Sequence, residues 1–245
     1  MDPKAVAAPN PAVVWGYRLG RGLRWAAGQW RYWLPVVALA AFFLTFPGVD
    51  KAVSHWFYSE ADGFYDPRGP GLEFIRMGVP ALLYGILLFL ALLWLLSKLV
   101  GPPLGWFTGR HLTFLAGSLF LGPGVIVNLI LKEYWGRARP SQILDFGGSQ
   151  DFTPAILIAD QCQSNCSFVS GHAALGFWAV ALALILPKCL PAALRQSALI
   201  AALVFGAGVG LARIVVGAHF LSDVLFSGII VVGLTVWMHR KMFPR

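Results

Sequence analysis

Two histidines, three arginines and a lysine stand out in this 245-residue chain, because they cluster near the edges of long apolar runs. Charged groups are costly at a bilayer boundary and seldom occur there without a partner or a task. The segment Ala212–Asp223 reads A-R-I-V-V-G-A-H-F-L-S-D. His219 and Asp223 are four residues apart, so on a helix they share one face. The carboxylate would then hold one ring nitrogen and leave the other pointed at a substrate. Arg213, just upstream, supplies a fixed positive charge. A second cluster is Ser170-Gly171-His172, and a third is Lys132, Arg137 and Arg139 followed by Pro140.

Converging arginine and lysine side chains suit a dianion with tetrahedral oxygens. A helix opening at Ser170 and Gly171 offers free N–H groups and a favourable dipole to phosphate. Gly171 omits a side chain where the ligand must approach. His219, oriented by Asp223, would attack phosphorus and form a phosphohistidine. His172 would protonate the departing alkoxide and later deprotonate the hydrolytic water. The cations would stabilise charge on the equatorial oxygens of the transition state. No cofactor and no metal is expected, because no carboxylate cluster stands ready for Mg²⁺.

These groups need positioning elements, and the composition says which kind. The chain is 58% hydrophobic and only 12% charged, against roughly half and a quarter in soluble domains. That describes an all-α integral membrane bundle. The net charge of +8 does not indicate nucleic acid, because the basic residues sit in short flanks between apolar runs. Six runs are long enough, or nearly so, to span: Trp33–Val49, Met77–Val100, Leu112–Leu131, Phe168–Pro187, Ser197–Val216 and Phe220–Met238. Six spans put both termini on one side. With the termini cytoplasmic, the inner segments hold 12 basic residues against the single acid Asp2, and the outer ones 7 basic and 10 acidic. The positive-inside rule therefore predicts cytoplasmic termini, a multi-pass inner (plasma) membrane protein and an active site at the outer face.

The chain divides into a cytoplasmic segment, residues 1–32, and a six-span domain, residues 33–245. Val13–Trp33 reads as a basic amphipathic helix lying on anionic lipid, or as an extension of the first span weakened by Gly20, Gly22 and Gly28. The first run follows too long a lead for a signal peptide. Asp50–Arg76 is expected as an aromatic, acidic outer loop, either a lip over the site or an ordinary interfacial belt. Gly206, Gly208 and Gly210 are expected to let helices pack closely. Cys162 and Cys166 lie in an outer loop where a disulfide can form, with two free thiols as the alternative, and Cys189 is cytoplasmic.

The charged positions also resemble a family signature. K-x6-R-P at residues 132–140, S-G-H within 169–172 and R-x5-H-x3-D within 212–223 look like the type 2 phosphatidic acid phosphatase (PAP2) superfamily. The resemblance implies that Lys132, Arg139, Ser170, the Gly171 amide and Arg213 bind phosphate. It implies His172 as the acid, His219 as the nucleophile and Asp223 as its orienter. Val169 replaces the usual proline and Ala212 the usual serine, which bears on substrate preference. The implied activity is metal-independent dephosphorylation of a membrane lipid phosphate. Four substrate classes compete: phosphatidic acid or phosphatidylglycerol phosphate, an isoprenoid pyrophosphate, lipid A, and sphingoid phosphates. The N-C-S-F-V-S-G run and the C-x3-C pair resemble the bacterial lipid A phosphatase branch. A phosphotransferase using the same intermediate, and a transporter or subunit that only binds anionic lipid, are the alternatives. Clean spans with charges gathered at one end favour the enzyme over a transporter.

Overall fold

A computed structural model describes residues 30–101 and 106–244 of the chain. Most of the expected amphipathic helix Val13–Trp33, and of the segment 1–32, lies outside the described residues. Helix α1 (Trp30–Thr45) ends where Pro47 follows Phe46, and the chain bends by 80° into α2 (Gly48–His55). The expected first span to Val49 is therefore broken. The bend turns Asp50 and Ser54 inward, where both are buried.

The expected loop 50–76 is more ordered than its polarity suggested. It carries α2, a short antiparallel hairpin of β1 (Tyr58–Ser59) with β2 (Gly63–Phe64), and the first turns of α3 (Pro70–Val100). Pro70 suits a helix start, where its missing N–H would be unsatisfied anyway. Tyr58 and Phe64 pack on Phe146 at ring distances of 5.1 and 5.2 Å. On α3, Leu88, Phe89 and Leu92 face outward, a surface suited to hydrocarbon.

Four longer elements complete the chain: α4 (Gly109–Tyr134), α5 (Gly171–Leu184), α6 (Ala192–Val215) and α7 (Leu221–Met242). Helix α4 is widened to π geometry over Phe120–Leu131 around Pro123, and the Asn128 amide donates to the Pro123 carbonyl at 2.7 Å. Helix α5 is the centre of the bundle. Its Ala173, Ala174, Trp178 and Ala181 are fully enclosed, and Trp178 Nε1 donates to Ser118 Oγ at 3.0 Å. Small residues set how closely its neighbours come. A Cβ on Gly176 would lie 3.1 Å from Gly206 Cα, and one on Gly210 would strike Val224. Gly208 faces open space and takes no part in this packing.

Helices α3, α4, α6 and α7 are long and apolar enough to cross a membrane, and the bent α1–α2 pair makes a fifth if it is one span. Helix α5 has 14 residues, about 21 Å at about 1.5 Å per residue, against roughly 30 Å of hydrocarbon. The expected span Phe168–Pro187 is shortened because its first residues run extended past α7, with Ser170 N–H donating to the Asp223 carbonyl at 3.2 Å. The chain is a multi-pass helical membrane protein.

Candidate active site

The helices deliver the sequence clusters to one place by their ends. Lys132 closes α4, Ser170 caps the start of α5, Arg213 lies in the last turn of α6 and Asp223 in the first turn of α7. Lys132, Arg139 and Arg213 are within electrostatic reach of one another. His172 feels Arg213 and Lys132, and His219 feels Lys132 and Arg139. All the expected site residues therefore gather at the same end of the bundle.

His219 lies in the turn between α6 and α7, not on a helix. Gly217 adopts a positive φ of 63° there, and a Cβ at that position would also strike the Phe64 ring of the hairpin. The Ala218 N–H donates back to the Arg213 carbonyl at 3.0 Å, which closes the turn. His219 Nδ1 donates to the Ser167 carbonyl at 2.7 Å, so Nε2 carries the free lone pair. Burial pushes its pKa down to about 4, opposed by Asp223 and reinforced by Lys132 and Arg139. The imidazole is thus neutral near pH 7.

The expected arrangement of His219 and Asp223 differs from this geometry. Asp223 Oδ2 stands 3.7 Å from Nδ1, an electrostatic contact rather than a hydrogen bond. The four-residue rule needs both residues on one helix, and His219 precedes the helix start. The Asp223 carboxylate instead caps α7 through the Phe220 N–H at 2.8 Å and accepts from Ser167 Oγ at 2.6 Å. Ser167 thus links the carboxylate to the carbonyl that holds His219. Asp223 orients the ring through this intermediary.

Arg137 completes that support. Its side chain is fully buried, with Nη1 2.6 Å from Asp223 Oδ1 and Nη2 2.8 Å from Asp50 Oδ2. Further donors reach Ser222 Oγ at 2.9 Å and the Thr153 carbonyl at 2.8 Å. The guanidinium also lies 4.2 Å over the Phe220 ring. Its spacing groups Arg137 with Lys132 and Arg139, but its charge is spent on two buried carboxylates. Asp50 and Ser167 carried no role in that reading. An acid at the end of an apolar run was the available signal for Asp50.

Among the described residues Lys132, Arg139 and Arg213 form no ion pair like those of Arg137. Arg139 Nη2 donates to the Asn165 carbonyl at 2.8 Å, and burial lowers its pKa from the ordinary arginine value. Asn165 belongs to the loop between Cys162 and Cys166, whose sulfurs are joined with Cα atoms 5.7 Å apart. The Cys166 N–H donates to the Lys132 carbonyl at 2.9 Å, so this loop braces two cations together. Cys189 is an exposed free thiol. Arg213 is buried, and its Nε has no hydrogen-bond partner among the described residues.

Ser170 is buried, with its Oγ accepting from the Ala173 N–H at 3.4 Å as the helix cap. Gly171 serves a closer purpose than ligand access alone. A Cβ there would lie 2.8 Å from Asn128 Oδ1 and 3.7 Å from Lys132 Cδ, so its absence lets α4 and α5 meet beneath Lys132. His172 Nε2 donates to the Arg76 carbonyl at 3.1 Å, which turns Nδ1 into the titrating nitrogen. Arg76 itself is paired with Glu73 at 2.8 Å on α3. Among the described residues no three His, Cys, Asp or Glu side chains gather as a metal-ligand set would.

A helical membrane bundle that gathers a buried histidine with Lys132, Arg139 and Arg213 at one end offers groups suited to phosphoryl chemistry. A model of the PAP2 superfamily matches residues 111–245, and the chain belongs to that superfamily. It is a phosphatase, a phosphoric ester hydrolase. The chain is 36% identical over 209 residues to the lipid A 4'-phosphatase of Francisella tularensis subsp. novicida (strain U112), covering 82% of this chain and 90% of that one. It is 36% identical to the lipid A 4'-phosphatase of Rhizobium etli, covering 80% and 78%. The lipid A 4'-phosphatase of Rhizobium leguminosarum is 34% identical, covering 81% and 87%. The fold is similar to the crystal structure of a PAP2-type phosphatidylglycerolphosphate phosphatase from Bacillus subtilis, with a TM-score of 0.53, 23% identity and coverage of 85% and 92%.

Proposed function

We propose that the chain removes a phosphate monoester from lipid A, at the 4' position, by a metal-independent phosphohistidine mechanism. The relatives named above support the substrate, and the motif spacing and the site geometry support the mechanism. The carrying observation is the buried Arg213 Nε, without a hydrogen-bond partner among the described residues, beside Lys132 and Arg139, while Arg137 already occupies the carboxylates. Such a set of donors matches the oxygens of a phosphate dianion.

His219 Nε2 attacks phosphorus as the bond to the sugar oxygen breaks, and protonated His172 gives its proton to that oxygen. His172 then takes a proton from water, and the resulting hydroxide attacks the phosphohistidine. The P–N bond breaks, inorganic phosphate leaves and His219 returns to its neutral form. Lys132, Arg139 and Arg213 stabilise the equatorial oxygens in both steps.

We further propose six membrane crossings, with short α5 serving as one, cytoplasmic termini and a site facing the periplasm from the inner membrane. The charge bias of the loops supports this orientation. The test is phosphate release from purified protein in detergent, with EDTA present, across the four candidate lipid classes. Lipid A should lead, and His219→Ala and His172→Ala should abolish turnover. Full turnover in His219→Ala overturns the mechanism, and a faster rate on another class overturns the substrate.

A further inference from the structure

The helices that present the catalytic cluster at one end enclose a different feature at the other. A cavity of about 880 Å³ lies among the start of α4, the end of α5, the start of α6 and the end of α7. Arg110, Lys188, Arg195 and Arg240 line it together with His111 and His239, and no acidic side chain does so among the described residues. The phosphatase chemistry uses none of these groups.

Positive flanks are expected wherever a membrane protein faces the cytoplasm, and cations suit the C-terminal end of α7. Neither reason needs a cavity. Topology is satisfied by lysines and arginines that snorkel to water. Here the Arg195 Nε is buried without a hydrogen-bond partner among the described residues. A guanidinium donor so placed carries a cost unless an acceptor reaches it. It also sits in the first turns of α6, whose N-terminus has neither a side-chain cap nor an acidic residue.

The walls are amphipathic in a way that narrows the ligand. The Phe243 ring lies between His111 and His239, with centroids 4.8 and 5.1 Å away, and the Arg110 guanidinium stands 5.6 Å from the same ring. Trp106, Leu184 and Ile185 supply an apolar side to the same space. A bare phosphate ion would fill little of such a volume, whereas pockets of about 300–1,000 Å³ take whole organic ligands. Basic pockets between transmembrane helices are where anionic headgroups bind.

We propose that this cavity is a second, non-catalytic anion site that holds the phosphate headgroup of an anionic phospholipid. The shared chemistry is a phosphate oxygen set facing Arg195, Arg110 and Lys188, with the glycerol backbone against the aromatic wall. Occupancy ties together the far ends of α4, α5, α6 and α7, the helices that carry Lys132, His172, Arg213 and Asp223.

The test uses the full chain in neutral detergent. Binding of short-chain phosphatidylglycerol, short-chain phosphatidylcholine and inorganic phosphate is measured by native mass spectrometry and by thermal shift. Phosphatidylglycerol should bind at least tenfold more tightly than phosphatidylcholine. Arg195→Gln should weaken it about tenfold or more, while Arg213→Gln at the catalytic end should leave it unchanged. Retained lipid phosphatase turnover in Arg195→Gln verifies the fold. The exposed Lys188→Gln gives a milder second variant that disturbs no packing. Inorganic phosphate binding that Arg195→Gln abolishes, without preference between the lipids, assigns the same site to a free anion. Phosphatidylglycerol affinity that survives both cavity variants, or that Arg213→Gln abolishes instead, overturns the proposal.

Discussion

Replacing Arg137 with methionine is a severe perturbation that leaves in place every group proposed to touch substrate. The side chain is fully buried and forms ion pairs of 2.8 Å with Asp50 and 2.6 Å with Asp223, both buried as well. Breaking a buried pair by removing one partner costs about 3–5 kcal/mol, because the other charge stays enclosed and unpaired. Here one substitution strands two carboxylates, so the loss should reach the upper part of that range. At about 2–4 °C per kcal/mol for a chain of this size, the midpoint of thermal unfolding should fall by roughly 8–20 °C. Arg137→Lys should lose most of the same stability. One ammonium cannot serve Asp50, Asp223, Ser222 and the Thr153 carbonyl in the planar geometry that the guanidinium does. Turnover should drop more than apparent substrate affinity, because Asp223 holds Ser167, and the Ser167 carbonyl holds His219. The assay is a detergent melt alongside kcat and KM on the same preparation. The double variant Arg137→Met with Asp50→Asn should recover part of the melting point, since it removes one stranded charge. A single variant that melts within 2 °C of the parent with unchanged kcat would refute this account of the network.

Acid should both inactivate and destabilise the enzyme through His219. Burial disfavours the imidazolium, so the folded chain binds this proton less tightly than the unfolded chain does. The stability associated with neutral His219 is whole above about pH 6.5. It is lost as pH falls towards about 4, at about 1.4 kcal/mol per pH unit. A melt series from pH 7.5 to 4.5 measures this slope, and a variant lacking the His219 imidazole should lessen it. Gly171→Ala places a Cβ 2.8 Å from Asn128 Oδ1, so the Asn128 amide must turn away from the Pro123 carbonyl beneath Lys132, and kcat should fall about tenfold. Kinetics against a folded-state control, such as an unchanged elution volume, will show it. Cys162→Ser opens a very short loop, costing about 2 kcal/mol in unfolded-state entropy. Because that loop braces Arg139 and Lys132, KM should rise with it, as should happen on treating the parent with a reductant.

Local spacing carried most of the candidate site positions, because S-G-H, K-x6-R-P and R-x5-H-x3-D are each short enough to survive in any backbone that joins them. Helical class and membrane location were legible too, since apolar runs of this length satisfy their backbone hydrogen bonds only as helices. What local spacing could not carry was partnership. Arg137 sits two residues from Arg139 and shares its chemistry, yet one is enclosed by Asp50 and Asp223 and the other reaches the Asn165 carbonyl. Ala138, the one residue between them, does not distinguish them.

The same division holds for the histidine at the centre of the site. Sequence alone determined that His219 stands at the boundary of an apolar segment with an acid close behind it. Only the tertiary structure decided that α7 begins after His219, so Asp223 became a helix cap and an anchor for Arg137 while the Ser167 carbonyl took Nδ1. It also decided that Asp50, 87 residues from Arg137, would share that guanidinium. Buried charges choose partners by proximity in the folded core, where few acceptors are within reach, and that choice is made by packing rather than by neighbours along the chain.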